Sequence, residues 1–361
     1  MNSLPPNISK LIGQMIMVGI KGHDRDAVYD FFEGNYKYHV GGIILYDEDI
    51  TTNPPSLHNI RSQQQLSNFT NYLQEFSSNP LLIGIDQEGG KVNRLKEIYG
   101  FPKTISWSKL GNINDLKKTE LESNNIAKSL NRCGINVNFS PVLDLDISKD
   151  NIISQKDRAI SSDYKVVFEH AQTLIKCHLD HDIIAVGKHF PGQGGIFADS
   201  HLTFSQDTRS LLELESHDLR PFDALKFKLG GIMTAHISFS SIDKEIATFS
   251  KFWLQDILRD KMEFTGTIFS DDLSMKGSDY VGGIEAKVSK ALESGCNMVL
   301  VCNDRPAALK AINFLEKEKI SQSEKVTKLK ASGSIAWADL ENDARRIDII
   351  DKLNTIEKLK L

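Results

Sequence analysis

Short apolar runs alternate with amphipathic segments along most of the chain. Eight runs have the length of a strand, and they cover residues 14–19, 41–46, 81–86, 135–140, 183–189, 231–236, 266–271 and 297–302. Segments with a helical repeat lie between them, the clearest at 62–76, 166–180 and 283–295. Because the strands are continuously apolar rather than alternating, the pattern predicts a parallel sheet covered by helices.

The number of these units points to one architecture within the α/β class. Eight strands separated by helices favour a closed, single-domain (β/α)8 TIM barrel over an open doubly wound sheet. No GxGxxG follows any of the strands, as a dinucleotide-binding sheet would require. The charged segment from about residue 317 to 361 is expected to form C-terminal helices that pack on the barrel, within one domain spanning residues 1–361.

Most of the apolar runs end in a polar residue that a buried strand would not favour. The set comprises Asp86, Asn138, Lys188 with His189, His236, Asp271 and Asn303. In a parallel barrel all strands end at one rim, and active sites of this architecture lie there. A single residue of this kind is often only the cap of the next helix. Several together predict a functional site.

Composition narrows the class of partner. The chain has 361 residues, 40% of them apolar, and a net charge of −5 with its 43 basic residues scattered, so nucleic acid is not an expected partner. No run approaches the ~20 apolar residues of a membrane span, and the N-terminus lacks a secretory signal pattern. We therefore expect a cytoplasmic protein without a membrane partner. Its four cysteines, which show no CxxC spacing, are expected to be buried free thiols.

The segment 84–95, GIDQEGGKVNRL, places charged groups after the third strand. Asp86 ends the strand, and a turn on two glycines brings Arg94 to the same rim. A carboxylate with a guanidinium can hold the hydroxyl or acyl groups of a polar substrate. Glu88 is expected to pair with Lys91 or Arg94. A purely structural ion pair around the turn is the alternative interpretation.

The segment 265–277, TGTIFSDDLSMKG, carries two adjacent acids at a strand end. Asp271 should face the rim, whereas Asp272 should point the other way and cap the following turn. An aspartate at the position of Asp271 can be a nucleophile, a general base or a metal ligand. The spread of His189, His201 and His236 over three loops does not support a metal site by spacing.

The segment 187–204, GKHFPGQGGIFADSHLTF, combines strand-end donors with a glycine-rich loop. Lys188 and His189 end the strand, and the glycines that follow are expected to let the loop bend freely. Asp199 lies two residues before His201 and can fix its tautomer, so His201 is a candidate proton shuttle. A solvated loop histidine is the simpler alternative.

These groups together suit a two-step displacement at an anomeric carbon. Asp271 would attack to give a glycosyl-enzyme, while His201 would protonate the departing oxygen and later activate water. The usual partner in this scheme is a second carboxylate, so a histidine in the role is unusual.

Six motifs carry a resemblance to a known family. In chain order they are DQEGGKVNRL, INVNFSPVLDLD, KHFPGQGGIFADSH, MTAHI, FSDDLSM and GCNMVLVCNDR. They resemble the bacterial β-N-acetylglucosaminidases of glycoside hydrolase family 3 over about residues 10–305. The resemblance implies a (β/α)8 barrel that removes non-reducing terminal β-linked N-acetylglucosamine from 1,6-anhydromuramyl peptides in cytoplasmic peptidoglycan recycling. It also implies retention of configuration, no metal or other cofactor, and a small carbohydrate as the partner of an expected monomer.

The resemblance assigns roles to individual residues. It implies Asp271 as the nucleophile and His201 as the acid/base with Asp199 as its partner. The implied sugar contacts are Asp86, Arg94, Arg158, Lys188 and His189, of which Arg158 rests on the resemblance alone. Three positions depart from the usual family pattern, namely Gln193, Lys91 and Asn297, and the segment YDEDITTNPPS after the second strand also differs. None of these changes removes a catalytic group.

Other functions remain open on the sequence. A family 3 β-glucosidase or a β-N-acetylglucosaminide phosphorylase is the first alternative, although the DSH element favours N-acetylglucosamine over glucose. A metal-dependent barrel hydrolase using His189, His201 and Asp271 is a second. A non-catalytic sugar-binding protein is a third, but it would have little reason to keep Asp271 together with the Asp199/His201 pair.

Overall fold

Eight parallel strands close into a barrel in the computed structural model, which describes residues 15–33, 40–49, 55–77, 80–196 and 205–321. The strands are β1 (Ile16–Gly19), β2 (Gly42–Leu45), β3 (Glu48–Asp49), β4 (Ser56–Leu57), β5 (Leu82–Ile85), β6 (Val137–Asn138), β7 (Ile184–Phe190), β8 (Ser205–Asp207), β9 (Gly231–Thr234), β10 (Ile237–Phe239), β11 (Thr267–Asp272) and β12 (Met298–Val301). The barrel order is β1-β12-β11-β9-β7-β6-β5-β2, and β1 pairs with β2 to close it. The predicted (β/α)8 barrel is confirmed.

Helices follow the barrel strands on the outside. They are α1 (Arg25–Phe32), α2 (Gln63–Phe76), α3 (Trp107–Ile113), α4 (Leu116–Arg132), α5 (Ile152–Gln155), α6 (Tyr164–Leu179), α7 (Leu211–Ser216), α8 (Leu219–Leu225), α9 (Ile284–Ser294) and α10 (Arg305–Ser321). A π-type helix spans Phe252–Lys261, and short 3₁₀ helices lie at Glu97–Tyr99, Ala247–Phe249 and Lys276–Val281. The three helices predicted from periodicity correspond to α2, α6 and α9.

Local sequence explains where these helices begin and end. The side chain of Ser62 accepts a hydrogen bond from the backbone N–H of Gln65 at 3.1 Å and caps α2. Along α2 the buried positions Leu66, Phe69 and Leu73 repeat at helical spacing and face the sheet. Helix α9 ends at Gly295, whose φ of 124° suits glycine and few other residues.

Two apolar layers account for strands that are buried on both faces. Side chains that point into the barrel form the inner layer, comprising Met17, Ile44, Val137, Phe139, Val186, Met233, Phe269, Met298, Leu300 and Cys302. The opposite faces pack against the helices in a larger cluster that includes Ile16, Val18, Ile43, Leu66 and Phe69. This arrangement is the reason why the strands read as continuous apolar runs.

One strand-end polar residue, Asn138, ties β6 to its neighbours. Its side-chain amide donates to the carbonyl of Gln87 at 3.0 Å and its oxygen accepts from the N–H of Gln87 at 3.0 Å. The same amide nitrogen lies 2.9 Å from Nε2 of His178 on α6. Nδ1 of His178 lies 3.1 Å from the carbonyl of Leu174, so the ring bridges β6 and α6 as a neutral imidazole.

Several sequence expectations fall at or beyond the limits of the described residues. Helix α10 extends to Ser321, and the rest of the predicted C-terminal helices, 322–361, lies outside the described residues.

All four cysteines are free and buried, as expected. Among the described helices, none is both long enough and apolar enough to cross a lipid bilayer.

The buried ring of His178 predicts a pH dependence of stability. Burial lowers the pKa of His178 from 6.5 to about 4. Between pH 4 and pH 6.5 the unfolded chain therefore binds a proton at this residue that the folded chain does not. The contribution of His178 to the free energy of unfolding is fully present above pH 6.5 and is lost as the pH falls towards 4. We expect the free energy of unfolding to lose up to about 1.4 kcal/mol per pH unit through this residue. Urea denaturation at pH 7 and pH 5 measures it.

The variant His178→Gln provides the comparison for this prediction. Glutamine keeps an amide that can bond to Asn138 but does not titrate, so the variant should lose less stability than the wild type between pH 7 and pH 5. His170 and His236, whose pKa values burial also lowers, act in the same direction in both proteins. Equal losses in both proteins would contradict a role for His178.

Candidate active site

Four charged side chains, from the segments that follow β5 and β6 and from β7, form one ion cluster. Glu88, which follows β5, accepts from Arg158 Nε at 2.8 Å and from Arg158 Nη2 at 2.7 Å. The Nζ of Lys188 in β7 lies 2.8 Å from Glu88 Oε1 and 2.7 Å from Asp86 Oδ1. We refer to Asp86, Glu88, Arg158 and Lys188 as the ion cluster.

The members of the ion cluster differ in their exposure. The side chains of Glu88 and Lys188 are 1% and 2% exposed, that of Arg158 is 9% exposed, and that of Asp86 is 19% exposed. Burial by itself would raise the pKa of the Glu88 carboxyl, but the charges and hydrogen bonds of Arg158 and Lys188 lower that pKa far below its ordinary value. Glu88 is therefore a permanent buried anion, and Asp86 is the member most open to solvent.

The turn after β5 holds Glu88 through its backbone. The N–H groups of Glu88 and Gly89 both donate to the carbonyl of Val92 at 3.0 Å. Gly89 has a φ of 98°, and a Cβ there would lie 2.6 Å from the carbonyl oxygen of Ile105, so only glycine fits this turn. The buried side chain of Gln87 accepts from the N–H of Arg94 at 2.9 Å and so fixes the far side of the turn.

The partners expected for Glu88 from the sequence are wrong. Lys91 pairs with Asp157 at 2.9 Å, and Arg94 lies 3.5 Å from Asp47. The guanidinium of Arg94 also lies over the ring of Tyr46, 5.5 Å from its centroid. Arg158 and Lys188 are distant from Glu88 in sequence but reach it from the segment after β6 and from β7, so tertiary contacts replace the local pairing.

His189 is held by a second buried acid, Asp144. Oδ2 of Asp144 lies 2.7 Å from His189 Nδ1, and Oδ1 accepts the backbone N–H groups of Gln193 at 2.9 Å and of His189 at 3.3 Å. The side-chain amide of Gln193 lies 3.1 Å from the same ring nitrogen of His189. Asp144 thus fixes the orientation of His189 and the start of the loop that follows.

The two acids at the end of β11 diverge as the sequence predicts. The carboxylate of Asp271 accepts the N–H of Asp272 at 2.8 Å. Asp272 turns inward, where its carboxylate accepts the N–H groups of Ser274 and Cys302, each at 3.0 Å, and caps the turn after the strand. Burial raises the pKa of Asp272, although these hydrogen bonds oppose the change. Asp272 is therefore structural, whereas Asp271 is half-buried.

Asp271 and the ion cluster lie at the same end of the barrel. Burial raises the pKa of the Cys302 thiol well above its usual value, and the charges of Asp272, Asp86 and Asp271 raise it further. Asp271 lies at the carboxyl end of β11 and Asp86 directly follows β5, and because the barrel strands are parallel both carboxylates lie at one rim. Tyr46, directly after β2, packs against the inner apolar layer, and the guanidinium of Arg94 lies over its ring.

The remaining strand-end polar residues serve the fold. Nε2 of the fully buried His236 donates to the carbonyl of Asp272 at 3.0 Å, and its Nδ1 lies 2.9 Å from Thr248 Oγ1. The amide of Asn303 donates to Asp272 at 3.2 Å. For these two and for Asn138, the capping or structural interpretation is the correct one. Within the part of the chain that the structure describes, no group of three or more His, Cys, Asp or Glu residues could hold a metal ion.

The predicted free bending at the glycines after β7 is wrong for residues 191–196. Gly192 and Gly194 are buried, and a Cβ would lie 2.7 Å from Asp218 Cβ at the first and would overlap the carbonyl oxygen of Leu145 at the second. The side chain of Asn151 donates to the carbonyls of Gln193 at 2.6 Å and Ile196 at 2.5 Å. These glycines permit close packing, so this segment is a fixed base. Asp199 and His201 lie outside the described residues.

The structure adds Asp144 and Tyr46 to the site and gives Glu88 new partners. Asp144 lies between the buried Leu143 and Leu145, and an acid in an otherwise apolar run was the available sequence signal.

Asn297, one of the positions that depart from the usual family pattern, has a structural role. Its side-chain oxygen accepts from Arg259 at 2.6 Å and from the N–H of Ile268 at 2.9 Å.

Comparisons with known proteins agree on one family. The family model described as the glycosyl hydrolase family 3 N terminal domain matches residues 8–348. A β-hexosaminidase of Idiomarina loihiensis is 36% identical over 310 residues, covering 85% of this chain and 90% of its own length. A β-hexosaminidase of Nitrosomonas eutropha is 40% identical over 286 residues, covering 77% of this chain and 78% of its own length.

Solved structures of related enzymes are also similar to this chain. NagZ from Neisseria gonorrhoeae in complex with N-trifluoroacetyl-D-glucosamine superposes with a TM-score of 0.72 at 32% identity, covering 84% of each chain. A family 3 β-N-acetylglucosaminidase from Paenibacillus sp. FPU-7 superposes with a TM-score of 0.81 at 26% identity, covering 99% of this chain and 64% of that one.

The fixed base of the loop after β7 generates a stability prediction. Gly194→Ser should lower the free energy of unfolding by about 1–3 kcal/mol, because its Cβ must displace the backbone at Leu145. Gly283→Ser is the matched control, because Gly283 is the N-cap of α9 and its Cβ would meet only the flexible end of Glu285 at 3.3 Å. Urea denaturation compares the two variants. Similar small changes in both would indicate that residues 191–196 yield freely.

Proposed function

The chain belongs to glycosyl hydrolase family 3 as a β-hexosaminidase, and we propose that it removes terminal β-linked N-acetylglucosamine through a covalent glycosyl-enzyme intermediate. The observation that carries this proposal is that Asp271 and the ion cluster lie at the same carboxyl end of the parallel barrel. A carboxylate beside a set of fixed donors and acceptors is what a retaining glycosidase requires on the sugar side of the bond that it cleaves.

The proposed sugar-binding residues are Asp86, Arg94, Arg158, Lys188 and His189. Asp86 is the most exposed acid of the ion cluster, so its carboxylate can accept hydrogen bonds from sugar hydroxyls. Arg158, Lys188 and His189 are held by buried acids and can donate from fixed positions. Arg94 lies on the far side of Asp86, where Tyr46 and Asp47 restrain it. Such restraint lowers the entropy that is lost when a sugar binds.

We propose Asp271 as the nucleophile and the pair of His201 and Asp199 as the acid/base. The carboxylate of Asp271 would attack the anomeric carbon while His201 gives a proton to the departing oxygen. In the second step His201 would take a proton from water, which then releases the sugar from Asp271. Asp199 would hold the imidazole in the tautomer that both steps require.

The natural substrate in this proposal is a peptidoglycan fragment, N-acetylglucosaminyl-1,6-anhydromuramyl peptide. Support comes from the resemblance of the six sequence motifs to bacterial enzymes of this type and from the similarity to NagZ of N. gonorrhoeae. The cytoplasmic location and the monomeric state expected from the sequence stay predictions.

Replacing the nucleophile gives the first test. Asp271→Ala should reduce turnover of 4-nitrophenyl N-acetyl-β-glucosaminide by on the order of 10³-fold or more, because the variant cannot form the glycosyl-enzyme. Release of nitrophenolate measures the rate, and NMR of the first-formed sugar shows whether the wild-type enzyme retains configuration. Asp260→Asn, at an exposed acid of the π-type helix, is the control and should retain wild-type turnover. Unchanged turnover of Asp271→Ala would disprove the mechanism.

The acid/base assignment predicts a dependence on the leaving group. His201→Ala should slow substrates with poor leaving groups by about 10²–10⁴-fold, and should slow activated aryl glycosides less, because those need little proton donation. Hydrolysis of a series of aryl N-acetyl-β-glucosaminides of increasing leaving-group pKa measures the effect. Equal losses across the series would show that His201 is not the acid.

The same assay separates the proposed activity from its nearest alternatives. We expect the wild-type enzyme to prefer N-acetylglucosaminyl over glucosyl aryl glycosides and to form free N-acetylglucosamine with or without added phosphate. Formation of the sugar 1-phosphate would identify a phosphorylase, and preferred turnover of the glucoside would identify a β-glucosidase.

A further inference from the structure

Glu88 is a buried acid with no assigned part in the reaction. We propose that it is a positioning residue that sets Arg158 and Lys188 for sugar binding, and through Lys188 also sets Asp86. This inference rests on the proposed function, because it takes these three residues as the sugar contacts.

Burial and occupancy exclude direct contact between Glu88 and the substrate. Its side chain is 1% exposed, and both of its oxygens are already engaged. Oε2 accepts from Arg158 Nε, while Oε1 is shared between Arg158 Nη2 at 2.7 Å and Lys188 Nζ at 2.8 Å. An acid in this position can influence a ligand only through the cations that it holds.

Among the residues that the structure describes, the hydrogen-bond inventory leaves each cation with donors for a ligand. A guanidinium has five N–H donors in a fixed plane, and Glu88 engages two of them on one edge of Arg158. A lysine ammonium has three, and Asp86 and Glu88 account for two of those on Lys188. Because Glu88 accepts hydrogen bonds from both cations, it determines the direction in which their remaining N–H donors point.

Charge balance gives the second reason for Glu88. Arg158, in the segment after β6, and Lys188, in β7, are buried cations, and together with Asp86 and Glu88 they form a neutral set. Without Glu88, both cations would compete for Asp86, since removing one partner of a buried pair leaves an uncompensated charge. Asp86 would then turn from the open rim towards them. The sugar would lose an acceptor as well as two oriented donors.

The expected signature is a loss of sugar affinity with little change in the chemical step. In Glu88→Gln, the inhibition constant of N-acetylglucosamine and the KM for 4-nitrophenyl N-acetyl-β-glucosaminide should rise by about tenfold or more, as loss of a charged hydrogen bond predicts. The kcat should stay within about threefold, because both oxygens of Glu88 are held by Arg158 and Lys188, so its loss acts on binding. Glu88→Asp keeps the charge and should recover part of the affinity.

A double-mutant cycle separates positioning from a general structural effect. If Glu88 acts through Arg158, the variant Glu88→Gln/Arg158→Ala should lose less affinity than the product of the two single losses. Glu122→Gln is the matched control, because Glu122 is also a buried carboxylate, on α4, where it accepts the N–H of Ile105 at 2.7 Å. Its inhibition constant should stay within about twofold of the wild type. Fully multiplicative losses in the cycle would overturn the proposal.

Chemical labelling tests the positioning without reference to enzymatic activity. Phenylglyoxal should modify Arg158 about tenfold faster or more in Glu88→Gln than in the wild type. The reason is that the bidentate contact that covers the guanidinium is lost. Mass spectrometry of the peptide that contains Arg158 measures the rate of modification. If the wild type neither cleaves nor binds N-acetylglucosaminides, the proposed function fails, while the labelling still reports on Glu88.

Two results for the Glu88 variants would contradict a positioning role for this residue. Wild-type sugar affinity in folded Glu88→Gln, or an unchanged labelling rate, would overturn it. If Glu88→Gln does not fold, Glu88→Asp carries the same tests, since its shorter side chain withdraws the carboxylate from both cations, and wild-type affinity and labelling in that variant would also overturn the proposal.

Discussion

Closure of the parallel barrel is the constraint on which the rest of this structure depends. Strand β1 pairs with β12 on one side and β2 on the other, so the eight barrel strands leave no open edge. Side chains inside the barrel and beneath the helices are mainly apolar, as the two core layers show. The charged groups of the candidate site lie where the strands end. Because all eight strands are parallel, their carboxyl ends meet at a single rim, and this rim holds Asp271 together with the ion cluster.

Charges at that rim are stable because they are paired. Glu88 and Lys188 are almost completely buried, and an isolated ion in such a place would be neutralised or excluded. Asp144 and His189 form a second pair next to them. In the pairs Glu88–Arg158 and Asp144–His189 the acid is the more buried partner, and it fixes the orientation of the basic group. A preorganised polar surface of this kind suits the sugar binding that we propose.

The sequence predicted the positions of strands and of strand-end polar residues better than it predicted which charged side chains pair. All eight barrel strands follow from periodicity, and the capping role of Asp272 follows from its place at a strand end. The predicted pairing of Glu88 with Lys91 or Arg94 is wrong, because sequence proximity was the only available guide and the true partners lie in the segment after β6 and in β7. The glycines after β7 were interpreted as a source of flexibility. In the fold, Gly192 and Gly194 instead permit close packing against Asp218 and Leu145.

The sequence by itself determined the fold class, the family and the end of the barrel that holds the candidate site. Those properties depend on local periodicity and on short motifs, which one chain displays directly. Only the tertiary structure decided which strand-end residues are structural, as with Asn138 and His236, and which surround the candidate site. It also revealed the partners of Glu88 and Asp144. A buried ion pair is defined by proximity across strands, and its energy depends on burial and distance, neither of which can be read from the order of residues.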